Sequence, residues 1–168
     1  IHRTYKRIGV EPHTLPKLIE ICEGDKDVWG IYEKALGIGI NQVEQPGTIY
    51  RVAKYKPRNL PELSAFIAAI RPGFKSNYKQ FEDREPFSYG VRTIDELIQT
   101  KDFPQSYMLY QENAMQVMAY AGIPISETYD IIKNIAKKRV EKVLSYKKMF
   151  IENMEKSLSE KDGMPKDK

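Results

Sequence analysis

The sequence holds one cysteine, Cys22, and two histidines, His2 and His13. A single thiol rules out an internal disulfide framework and fits a reducing cytoplasm, the expected location. Histidines so far from Cys22 in spacing leave no zinc site. No apolar run is long enough to cross a bilayer, and no secretory hydrophobic segment is present, so no membrane partner is expected. The P-loop, the G-x-G-x-x-G fingerprint, the G-x-S-x-G elbow and the H-E-x-x-H helix are all missing. Internal repeats, alternating strands and strand–helix–strand units are missing too.

What remains is a chain of 168 residues, 30% charged and 41% hydrophobic, with mean hydropathy −0.55. That composition predicts a soluble globular chain, long enough for one domain or two small packed lobes. The first residue is Ile1 rather than Met, which points to a processed product or an excised fragment. The net charge of +4 and pI near 9.0 are a mild basic excess that names no partner. Its distribution says more: from Lys133 to Lys148 there are seven basic residues against one acid, Glu141. Such a block is either a phosphate-facing surface or a solvated helix face.

Helical spacing recurs along most of the chain. "TLPKLIEICEGD" has Thr14 as N-cap, Pro16 in its first turn and Gly24 at its end. "DKDVWGIYEKALG" follows, so residues 1–37 read as a helical hairpin anchored by Trp29 and Tyr32, preceded by a basic strand or arm. "IGINQVEQPGT" is a linker. Helices resume at Thr48 and at Asn59, whose amide caps "LPELSAFIAAI" until Arg71-Pro72-Gly73 stops it. Residues 74–92 carry no sustained period and read as irregular. After "TIDELIQT" come helices over 108–122, from Ser126, and from Val140 for about 30 Å at 1.5 Å per residue. The fold class is mainly α, with irregular connecting loops. The expected organisation is 1–37, a helical module at 38–158, and a disordered tail at 159–168. Core candidates are Trp29, Phe66, Ile67, Met115, Met118 and Ile132.

Chemistry is sparse. Asp25 and Asp27 have the D-x-D spacing that can hold Mg²⁺, but acids at a helix start are accounted for by capping and the macrodipole. Glu82-Asp83 and Asp95-Glu96 lie on polar or first-turn positions. No nucleophile stands with a base, so no catalytic residue and no metal ligand is assigned. In "MLYQENAMQVMAYAGIP" Gln111 falls on the stripe of Met115, Met118 and Gly122, while Asn113, Gln116 and Tyr120 face the other way. The polar group at the mouth of this helix is either a core network or a ligand contact.

Three stretches resemble the C-family DNA polymerases, the bacterial replicative DNA polymerase III alpha subunits. "LPELSAFIAAIRPGF" resembles that family's helix ending in R-P-G-P. "YMLYQENAMQVMAYAGIPISETYDIIKNIAKKRVEKV" resembles its later Y-Q-E-Q-V-M helix, glycine turn and D-L-L-R-R-A-M-G-K-K-K run. "INQVEQPGT" stands where the family carries an F-Q-L-E-S-like segment. The likeness covers about residues 38–155, and Y-Q-E in this order is its most specific part. Three departures stand out: Asn113 for the fourth residue of Y-Q-E-Q, Phe74 for the proline after R-P-G, and Lys133 and Asn134 for the paired arginines. A lysine cannot copy arginine's bidentate grip on phosphate.

The resemblance implies a fingers-region fragment of a DNA-directed DNA polymerase, a nucleotidyltransferase of DNA replication. The catalytic palm and its Mg²⁺ would lie elsewhere in the parent, and the fragment alone would be inactive and hold no cofactor. It implies contact with template–primer DNA and the incoming dNTP, with other replisome subunits as further partners. Arg71, Lys133, Lys137, Lys138, Arg139 and Lys142 are the expected phosphate contacts. Tyr110, Gln111 and Glu112, which match Y-Q-E, are expected to face the nascent base pair or to form a polar network. Arg71 has a second reading, as a cap on the last carbonyls of its helix. The rival to the whole is a free-standing helical adaptor whose basic helix binds a protein.

Overall fold

Proline and asparagine set several of the helix starts. Pro16, Pro46 and Pro61 occupy first turns, where a missing N–H costs nothing, and the Asn59 side chain accepts from the Glu62 N–H at 2.8 Å. The structure, a computed structural model, describes residues 2–164. Among these it has ten α-helices, one 3₁₀ turn and no strand, so the chain is mainly α. It divides into two compact units, Ile1–Asp83 and Arg84–Lys168. Residue 37, the expected boundary, lies inside the first.

The first unit holds α1 (His2–Arg7), α2 (Leu15–Gly24), α3 (Lys26–Glu33), α4 (Pro46–Tyr55), α5 (Leu60–Ala69), a 3₁₀ turn at Pro72–Phe74, and α6 (Tyr78–Glu82). The basic arm expected at the N-terminus is instead the one-and-a-half-turn α1, with Lys6 and Arg7 in the last turn, where cations complement the macrodipole. Likewise α6 lies in the stretch read as irregular. Five residues are too few for a 3.6-residue period to register. Helix α4 starts at Pro46, two residues ahead of Thr48.

The core of this unit is an aromatic stack. Tyr55 lies between Phe66 (5.5 Å between ring centroids) and Phe81 (4.9 Å), and Phe74 meets Phe81 edge-on. Phe66 and Phe81 are fully buried, each contributing about 1.5–3 kcal/mol. Gly37 is buried against Val43, whose Cγ1 would stand 2.8 Å from any added Cβ. Only glycine lets the loop into α4 close this tightly. In the α2–α3 pair the buried anchor is Tyr32, while Trp29 beside it is half-buried, as is Ile67 in α5.

The second unit holds α7 (Arg92–Ile98), α8 (Gln111–Tyr120), α9 (Ile125–Ala136) and α10 (Val140–Asp162). Helix α8 ends in a Schellman turn. Gly122 takes φ +81°, its N–H reaches the Ala119 carbonyl at 2.9 Å, and the Ile123 N–H reaches Met118 at 3.1 Å. The short turn folds α9 back along α8. Met118, Ile123, Ile131 and Ile132 then form one buried cluster, covered by Tyr146, Met149 and Phe150 of α10, with Met115 half-buried at its edge. A second cluster joins Ile94 and Ile98 of α7 to Val117 of α8. Helix α10 runs on to Asp162, into the stretch expected as a tail from residue 159, and Asp162 is tied to Thr93 and Tyr120. Residues 165–168 of that expected tail lie outside the described residues.

Candidate functional site

Tyr110 precedes α8, with Gln111 and Glu112 as its first residues. Gln111 and Glu112 are exposed, so the expected stripe from Gln111 into the core is not realised. The buried member of the group is Asn113, which had been placed on the wettable face. Its Oδ1 accepts from the Tyr110 N–H at 3.0 Å, satisfying one of the donors that a helix start leaves open. Capping pulls the side chain back toward the helix start, against the direction that its register suggests. Tyr110 is 39% exposed, and the partial burial of its phenol pushes the pKa above the ordinary value. The Y-Q-E residues therefore present an open surface rather than a closed network.

The basic block is split by a corner. Lys133 and Lys137 end α9, Lys138 turns the chain, Arg139 precedes α10, and Lys142 lies in its first turn. The corner is a second Schellman turn: the Lys138 N–H reaches the Ile135 carbonyl at 2.9 Å, and the Arg139 N–H reaches Asn134 at 3.1 Å. Lys138 holds φ +52° in the position usually given to glycine, between the helix expected from Ser126 and the one expected from Val140. Arg139 also donates to the Asn134 Oδ1 at 3.3 Å, fixing the base of the corner. All five cations are exposed, and among the described residues none of them forms a salt bridge. Lys133 lies 5.9 Å over the Tyr129 ring one turn earlier. Cations at the end of α9 also complement its dipole, but that role needs one or two charges rather than five.

The hairpin brings two of these features to one end. Ala114, in the first turns of α8, and Ile135, in the last turn of α9, line the same cleft of about 400 Å³. The Tyr110–Glu112 mouth and the basic corner thus share the open end of the α8–α9 pair. Sequence reading missed the cleft, because periodicity names the buried face of each helix but not a gap between three.

Arg71 belongs to the first unit. It is exposed, and its carbonyl accepts from the Phe74 N–H at 3.0 Å as the 3₁₀ turn begins. Among the described residues its guanidinium bonds no carbonyl of α5, so the capping reading fails. The D-x-D pair forms a cap: the Asp25 carboxylate accepts from the Asp27 N–H at 2.8 Å at the start of α3. Among the described residues no group of three or more His, Cys, Asp or Glu converges, and no helix is long and apolar enough to cross a membrane.

Comparison with known proteins gives this arrangement a family. The model of the bacterial DNA polymerase III alpha subunit finger domain matches residues 1–157. The match takes in the first 37 residues, beyond the span in which the motifs are recognisable. DNA polymerase III subunit alpha of Ureaplasma parvum is 30% identical over 139 residues, covering 80% of this chain and 14% of that protein. The corresponding subunit of Thermus aquaticus is 28% identical over 120 residues, covering 67% and 10%. That of Thermotoga maritima is 28% identical over 141 residues, covering 82% and 15%. The chain thus spans about a tenth to a seventh of the length of these relatives. With the helical fold and the R-P-G and Y-Q-E segments in order, the chain belongs to the finger-domain family of bacterial DNA polymerase III alpha subunits.

Proposed function

We propose that this chain is the part of a replicative DNA polymerase that holds the incoming nucleotide and the template–primer phosphates, and that it performs no chemistry by itself. The observation that carries the reading is the exposed corner of Lys137, Lys138 and Arg139, flanked by Lys133 and Lys142, at the same end as Tyr110, Gln111 and Glu112. Guanidinium and ammonium groups without carboxylate partners are free to neutralise phosphates, and Arg71 of the first unit offers a further such group. With lysine and asparagine where the family pattern has two arginines, the grip on a triphosphate is a point-charge contact rather than a fork. In this reading Mg²⁺ belongs to the palm of the parent polymerase, in the cytoplasm, where other replisome subunits assemble.

The test is a titration of a labelled duplex at two or more salt concentrations. Binding should weaken with salt at a log–log slope of about −0.9 per phosphate contact. Replacing Lys137 and Lys138 by alanine should flatten that slope by about two contacts and weaken all sequences alike, because phosphate contacts carry no base information. Binding indifferent to salt and to both substitutions overturns the assignment. So does a complete lack of affinity at low salt.

A further inference from the structure

We infer that the cleft between α8, α9 and α10 is a docking groove for an amphipathic peptide helix that carries acidic residues beside two or three large apolar side chains. This goes beyond the polymerase reading and does not depend on it. The cleft has about 400 Å³, at the lower end of the ~300–1,000 Å³ of sites that take ligands. Met108, Met118, Ile131 and Phe150 form much of its wall, and Ile135 stands at its mouth, 52% exposed. The unbranched side chains of Met108 and Met118 let their part of the wall adapt to differently shaped apolar groups.

Two observations choose the occupant. Among the described residues Lys147 is the only charged one on the lining, and the wall is otherwise almost purely apolar. A nucleobase placed there would bury its hydrogen-bonding edge against groups that cannot answer it, at a cost an aliphatic side chain escapes. The rim supplies the second observation. Val143, Tyr146, Lys147 and Phe150 line the groove along two turns of α10, and the segment Lys133–Lys148 around them has seven cations to one acid. An apolar floor with the Lys147 ammonium at its edge, on a helix whose first turns are rich in lysine, is complementary to a helix with an apolar stripe flanked by glutamates. Two turns of α10 also match the length over which such a helix places residues at i, i+3 and i+7.

The probe is a synthetic peptide of about fifteen residues with leucines at that spacing and glutamates beside them, compared with a scrambled peptide of identical composition. The 168-residue chain is labelled at its methionine methyl groups. The amphipathic peptide should shift the Met108 and Met118 signals and leave Met164 unmoved. Fluorescence anisotropy should show the scrambled peptide weaker by roughly tenfold, and Lys147→Glu or Ile135→Glu should weaken the amphipathic one by a similar factor. Ile31→Ser, in the other unit, should change nothing. Methyl shifts read on the unaltered chain keep the test valid even where a substitution unfolds the protein. Equal binding of both peptides, or methyl shifts produced by oligo-dT instead of the peptide, overturns the proposal. Unmoved Met108 and Met118 signals at millimolar peptide do the same.

Discussion

The Tyr120 phenol donates to the Asp162 carboxylate, and Thr93 donates to the other oxygen of the same group, so one side chain joins α7, α8 and α10. Lys161 closes the arrangement. Its ammonium donates to the Tyr120 carbonyl at 2.9 Å and lies 4.5 Å from the centre of the Tyr120 ring. The hydrogen bond from Thr93, followed by that from Tyr120, holds the Asp162 carboxyl below its ordinary value of 3.8. Burial, then the bond to Asp162, pushes the Tyr120 phenol up to about 12.

These shifts predict a pH dependence at both ends of the scale. A carboxyl lowered by folding stabilises the folded state above its unfolded value, and that contribution disappears as pH falls through the folded value. A raised phenol contributes fully below its unfolded value of 10.0, and that contribution is lost as pH rises toward about 12. Asp162→Asn should therefore be less sensitive than the parent chain to acid below about pH 4. It should also bring one tyrosine to a lower pKa in an absorbance titration. Melting curves that stay parallel from acid to alkali in both proteins would contradict the clamp.

Met118 should be the most costly methionine to lose on α8. It is 8% exposed in the cluster with Ile123, Ile131 and Ile132, so Met118→Ala should cost about 2–5 kcal/mol in denaturant unfolding. Met115→Ala, at the half-buried edge, should cost clearly less. A loss below ~0.5 kcal/mol for Met118 would place that face in solvent.

At the mouth of α8 the order of importance follows burial. Asn113→Ala removes the acceptor of the Tyr110 N–H and should destabilise by about 1 kcal/mol. Gln111→Ala and Glu112→Ala should stay within about 0.5 kcal/mol, since both side chains are exposed. Thermal unfolding of the three variants checks the order, and Gln111 as the costliest would restore a buried network.

The isolated chain should extend no primer with dNTPs and Mg²⁺ or Mn²⁺. Asp25 is committed to capping α3, so Asp25→Ala should cost about 1 kcal/mol of stability and affect no reaction. Template-dependent extension abolished by Asp25→Asn or Asp27→Asn would show that the pair binds metal.

The helices that could be read from the sequence were those with a start signal, such as Asn59 ahead of Leu60–Ala69, or a sustained period, such as the long apolar repeat from Val140. Gly122 likewise announced the turn after α8. The turn after α3 was silent because Ala35 takes positive φ without being glycine, whereas the break after α9 showed only in the apolar period that starts at Val140, with no glycine at Lys138 to mark it. Among the site residues, exposure of the five cations followed from charge. The exchange of roles between Gln111 and Asn113 did not, because a capping bond depends on backbone geometry at the helix start rather than on position around the helix.

The left-handed turn at Lys138 has a consequence for reach. Along an unbroken helix, lysines at successive turns form a row about 5.4 Å apart that runs beside a polyanion. A chain reversal inside the block instead sets three consecutive cations at one corner. Phosphates held there would be neighbours on a short stretch of one strand, and the footprint would be smaller than a helical turn of duplex. Short oligonucleotides would then fill the corner as completely as long ones.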